Sequence, residues 1–162
     1  MTEVSSLATV HDLSRNILNG YLDRLRETDP YPEVEVHGVM LHSIYWLAGH
    51  VAWAENRLAM KGVVEQPLDI PWLDKFGFGT TLGSREGLPE FSEVVATMHQ
   101  VHAETQRALH AMNDAELELP NGLPTAFGDK PKRFVLHHMI RHEPMHAGQL
   151  AWLCKIHGIK TF

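Results

Sequence analysis

Apolar residues recur every three or four positions along four stretches of the chain, and this spacing predicts four helices. The first runs from about Ser6 to Glu27, where Leu7, Val10, Ile17, Leu18, Tyr21 and Leu25 keep one face apolar before "TDPYPE" ends it. The second covers about Val39 to Lys61, "VMLHSIYWLAGHVAWAENRLAMK". The third starts near Pro89, a residue suited to a first turn, and reaches Met112 with Val94, Val95, Met98, Val101, Thr105, Leu109 and Met112 on its inner stripe. The fourth runs from about Pro131 to His157, and Gly158 supplies its stop. No strand pattern competes with these, although "VEVHGV" is a short ambiguous run.

The connections carry topology. About 27 residues, 62–88, separate the second helix from the third, far more than joins antiparallel neighbours in a bundle. A helix of about 20 residues is about 30 Å long, so this segment can return along the bundle and start the third helix parallel to the second. The expectation is an all-α four-helix bundle with one long crossover. Trp72, Phe76 and Phe78 give that crossover apolar anchors, which would either form a lid over a site or cover an edge of the bundle.

Length and composition narrow the picture. With 162 residues, 44% of them apolar, the chain suits a single domain over 1–162 with a core that needs no staples. A net charge of -6, without any lysine and arginine run, argues against nucleic acid as a partner. The N-terminal "MTEVSSLATVHDL" lacks the basic flank and apolar run of a secretory signal, and no segment is apolar for long enough to span a bilayer, so a cytoplasmic location is expected. Cys154, the one cysteine, reads as a reduced packing residue.

The 12 histidines change the picture most. At that density roughly one H-x-x-x-H pair arises by chance, so "RHEPMHAGQL" alone proves little. Projected at 100° per residue, however, His142 and His146 share the inner stripe of Val135, Met139, Leu150 and Leu153. His138 lies on it too, one turn earlier, and makes a rival pair with His142, whereas His137 falls on the solvent side. His50 faces inward from the second helix and His102 from the third. His42 sits at the edge of its stripe, and His11, His37, His99, His110 and His157 look peripheral. Several buried neutral imidazoles are costly without partners, and a shared divalent ion would satisfy one nitrogen of each. Pro144 would bend the last helix between His142 and His146.

"SIYWLAGHVAWAENRL", followed about ninety residues later by "HHMIRHEPMHAGQLAWL", resembles the DinB/YfiT-like superfamily of four-helix bundles over essentially the whole chain. The resemblance implies an up-down-down-up bundle and one divalent metal ion held by His50, His142 and His146. The "HAGQL" context implies His146 rather than His138, which becomes a supporting or packing residue, with Gly148 at a close helix contact and Gln149 bonding a ring or water. It also implies a low-molecular-weight thiol as substrate and often a homodimer. The reading that follows is a metal-dependent enzyme transferring such a thiol to an electrophile, with zinc or nickel ahead of iron or copper, and with Arg57 as a candidate for a substrate carboxylate. Alternatives are a hydrolase using metal-bound water, for which neither Glu143 nor Glu55 is placed as a base, and a non-enzymatic metal-binding or stress-response module.

Overall fold

The computed structural model describes residues 2–161, and helix dominates it. Helix α1 spans Glu3–Arg24. Thr2 caps it by accepting from the Ser5 amide, and Asp114 accepts from the Glu3 and Val4 amides, so the orphan donors of the first turn are met locally and from across the fold. Its buried residues are Val4, Ala8, His11, Arg15 and Leu18, spaced four and three apart. That face is rotated from the one the apolar pattern predicts. Val10, Leu13 and Ile17 stand about half exposed, while His11 and Arg15 take the inner positions. The cause is a polar layer inside the core.

"VEVHGV" proves to be a hairpin, and the second helix therefore starts later than expected. Strands β1 (Val34–Val36) and β2 (Val39–Leu41) pair antiparallel, joined by His37 and Gly38. Both turn residues have positive φ, 51° and 79°, as a two-residue hairpin turn requires. Ser43 then caps α2 (Ile44–Glu55) by accepting from the Trp46 amide, and every residue of α2 except Trp53 is buried. The chain continues as a π-helix over Asn56–Val64, which ends at Glu65 in the left-handed conformation. The crossover holds a short 3₁₀ turn, Pro71–Phe76.

Helix α3 (Phe91–Ala111) buries Val94, Thr97, Met98, Val101, His102, Thr105 and Leu109, close to its expected stripe. A 3₁₀ turn at Asp114–Glu118 and a four-residue helix, α4 (Pro124–Phe127), lead to α5 (Lys132–Ile156), which stays helical through Pro144. Among the described residues, no helix is long and apolar enough to cross a membrane. Cys154 is a buried free thiol.

The apolar core falls into two clusters. One joins Leu18, Val51, Met98, Ala147 and Leu153; the other joins Ala8, Leu58, Leu109, Leu136 and Met139. Where the two clusters meet, each long helix buries polar side chains: His11 and Arg15 on α1, Glu55 on α2, His102 on α3, Glu143 on α5. The Arg15 guanidinium, 1% exposed, organises this layer. It donates to Glu143 at 2.8 Å through Nε and again through Nη2, to Glu55 at 2.7 Å and to the Met98 carbonyl at 3.1 Å. His11 Nε2 lies 3.1 Å from Glu143, and His102 bonds Glu55 through Nδ1 at 3.0 Å and Asp12 through Nε2 at 3.1 Å.

Removing the charge from the centre of this layer would leave two buried carboxylates without their cation. We expect Arg15→Met to cost about 3–5 kcal/mol in chemical denaturation, as breaking one side of a buried ion pair does. A change under about 0.5 kcal/mol, the level of an ordinary surface substitution, would contradict the layer's role.

Candidate metal centre

The same two helices that feed carboxylates into the Arg15 layer carry histidines on another face. On α2, His50 and Glu55 are five residues and about 140° apart; on α5, His142 and Glu143 are about 100° apart. Glu55 and Glu143 therefore turn to Arg15, and the structure brings His50, His142 and His146 together on the other side. One nitrogen from each of these three rings lies within 4.8 Å of the other two. The His142 and His146 Nε2 atoms are 3.2 Å apart, near the roughly 3.3 Å expected of two ligands on a tetrahedral ion at 2.0–2.1 Å.

Each ring is oriented by its surroundings. His50 Nδ1 is 2.7 Å from the Phe76 carbonyl, which can only accept, so Nδ1 carries the proton and Nε2 keeps its lone pair. Trp46 stacks on the His50 ring at 4.4 Å between centroids, and His42 stacks on Trp46 at 3.8 Å. His146 Nδ1 donates to Gln149 Oε1 at 2.7 Å, which likewise leaves Nε2 bare. Such bonds to the far nitrogen are what metal-binding imidazoles ordinarily make. The bare His146 Nε2 faces His142 Nε2 at 3.2 Å, a separation that either a proton or a shared cation bridges, so this donor set fits a divalent ion.

Burial and mutual charge keep these rings unprotonated. For His50, burial outweighs the favourable bond to Phe76, and the pKa falls to about 4. Burial, followed by the proximity of His146, His50 and His138, lowers His142 to about 3. His146 is lowered as well, by burial against the opposing bond to Gln149. At neutral pH all three rings are neutral, as a metal-binding imidazole must be.

A second group, His11, Glu55 and His102, also has donor atoms within 4.8 Å. Here the lone pairs are already used. Gln106 donates to His11 Nδ1 at 3.3 Å, and Arg15 occupies the far oxygen of Glu55. Both His102 ring nitrogens face carboxylate oxygens, of Glu55 and Asp12, and although burial would lower its pKa, the hydrogen bond and charge of Glu55 outweigh it and raise it. His11, which the sequence pattern leaves at the periphery, is in fact fully buried; only the four-and-three spacing with Val4, Ala8 and Arg15 could have revealed it.

The three-histidine cluster opens on a cavity of about 1050 Å³. Trp46, Trp53, Arg57, Phe127, Arg141 and Met145 line it, with Asp74 and Phe78 from the crossover. His138 is on this wall rather than in the cluster: it accepts from Arg141 at 2.9 Å and lies beside Phe127 and His142. The crossover divides its anchors. Phe76 is fully buried and holds His50, whereas Phe78 is 89% exposed at the cavity. Gly148 makes no close helix contact, since a Cβ there would meet nothing within 4 Å.

A family model described as the DinB superfamily matches residues 11–150. No curated protein matches the chain.

Gly49 shows how closely α2 and the crossover must approach to hold His50. A Cβ at this position would sit 2.2 Å from the Phe76 ring, which is itself fully buried. Gly49→Ala should displace Phe76 and cost about 1–3 kcal/mol, the usual penalty of overpacking, visible as a lower Tm. An unchanged Tm would mean that this contact is not needed.

Proposed function

The chain belongs to the DinB superfamily, and on that premise we propose that it is a divalent-metal-dependent enzyme that transfers a low-molecular-weight thiol to an electrophile. The observation that carries this reading is the convergence of one nitrogen each from His50, His142 and His146 at the wall of a large cavity. These are the residues proposed to hold the ion, with zinc or nickel ahead of iron or copper. When bound, such an ion supplies Lewis acidity that favours the thiolate form of a sulfur ligand at neutral pH.

The chain's own residues supply the rest. Phe76 and Gln149 fix the His50 and His146 tautomers, so each presents a lone pair and holds its proton on the far nitrogen. Three neutral ligands leave the ion's charge undiminished, which suits an anionic sulfur. Trp53, Phe127 and Met145 give the cavity apolar walls that reduce the water around a bound thiol. Hydrolysis through a metal-bound water finds less support, because Glu55 and Glu143 both turn to Arg15 and Asp74 accepts from the Trp53 indole at 3.1 Å.

We further propose a single-domain bundle in the up-down-down-up sense. The order of core residues supports it. Along α1 and α5 the chain passes from the cluster of Ala8 and Leu136 to the cluster of Leu18 and Leu153, and along α2 and its π-helical extension, as along α3, it passes the other way.

The test couples metal content to chemistry. Purified protein should bind about one divalent ion per chain, and His50→Ala, His142→Ala and His146→Ala should each reduce that to near zero while keeping helical circular dichroism. Metal-loaded protein should then consume bacillithiol, mycothiol or glutathione with a model electrophile faster than buffer, and the alanine variants should not. Absence of rate above background with every thiol would refute the transfer activity; retention of metal by the three variants would refute the site.

A further inference from the structure

The cavity is the wrong charge for the chain that forms it. The whole protein carries a net charge of -6, yet the ionised side chains lining the cavity are Arg57, Arg141 and one carboxylate, Asp74, which already accepts from Trp53. Five arginines elsewhere reach carboxylates. Arg15 reaches Glu55 and Glu143, Arg26 reaches Glu27, Arg85 reaches Glu90, Arg107 reaches Glu104, and Arg133 reaches Glu118. Among the described residues, neither Arg57 nor Arg141 has a carboxylate within ion-pair distance.

Both are nevertheless held. The Arg57 guanidinium lies 5.6 Å from the centre of the Trp53 ring, and Arg141 donates to His138 Nδ1 at 2.9 Å. Neither contact neutralises the positive charge, and a planar guanidinium so placed keeps donors for a carboxylate. Arg57 follows His50 by seven residues, in the π-helical continuation of α2, and Arg141 directly precedes His142 on α5. The two cations thus line the same cavity as the histidine cluster, and the order of core residues puts both toward the end of the bundle that holds Leu58 and Leu136. Around them, Trp53, Phe127 and Met145 offer apolar and aromatic surface.

We infer that the cavity selects an organic anion, a carboxylate with an apolar or aromatic body, whose carboxylate is taken by Arg57 and Arg141. That this anion is a reactant, with its other end toward His50, His142 and His146, rests on the enzymatic reading above; recognition of the carboxylate by the arginines does not.

Isothermal titration calorimetry on metal-free protein tests the recognition without the metal. The probes are 3-phenylpropionate and its neutral isostere 3-phenylpropanamide. The carboxylate should bind at least about tenfold more tightly, the difference expected where charge-assisted hydrogen bonds replace neutral ones. Arg57→Gln/Arg141→Gln should abolish that preference, and Arg57→Lys/Arg141→Lys, which keeps the charge, should restore part of it if the glutamine pair perturbs the fold. Equal binding of the two probes, no binding of either, or a preference that survives the glutamine pair would overturn the inference. Repeating the titration with zinc-loaded protein separates the two readings. Discrimination by a chain that takes up no metal would sink the metal centre and leave the anion site standing; metal uptake without discrimination would do the reverse.

Discussion

Burying the Arg15 guanidinium is the constraint on which the rest of the structure depends. A charge with 1% exposure is tolerable only if every donor finds an acceptor, and here the acceptors come from α2, α3 and α5. Because Glu55 and Glu143 must both reach one cation on α1, the rotation of α2 and α5 about their axes is set. Ridge packing of leucines and alanines alone would tolerate other rotations, since many apolar pairings are nearly equivalent in energy.

The histidine cluster follows from that rotation. With Glu143 committed to Arg15, its neighbour His142 must face the other side of α5, and His146 lies one turn along the same face. His50 is brought to them from α2, with Phe76 of the crossover as its hydrogen-bond partner. The molecule thereby separates two kinds of polar cluster. In the Arg15 layer, cations, carboxylates and a proton on His102 satisfy one another. In the three-histidine cluster, burial and mutual repulsion keep the rings neutral and leave lone pairs converging. The first contributes specificity to the packing; the second turns three ring nitrogens toward one another at the wall of the cavity, where a ligand can reach them.

Much of this was legible from periodicity. The inner stripes of the third and fourth long helices and the inward direction of His50, His142 and His146 follow from 100° steps and apolar neighbours. The first helix was not legible in that way, because a buried arginine and a buried histidine occupy positions that a hydrophobic pattern assigns to leucine and valine. Its true face shows only as a four-and-three spacing through Val4, Ala8, His11, Arg15 and Leu18. The hairpin was hidden by length: strands of three residues are too short for alternation to register, and "HG" replaces the commoner asparagine-glycine turn. The roles of Phe76 and Gly49 depend on a contact between segments 27 residues apart, which no local pattern records.

We propose that the converging histidines, and not the equally compact group in the Arg15 layer, form the metal centre. Anomalous diffraction across the zinc, nickel, copper and iron edges, on crystals grown from protein purified without chelator or affinity metal, tests it most directly. One peak is expected about 2.0–2.1 Å from a nitrogen of each of His50, His142 and His146. A peak among His11, Glu55 and His102, or none at any edge from protein supplied with all four metals, would contradict it.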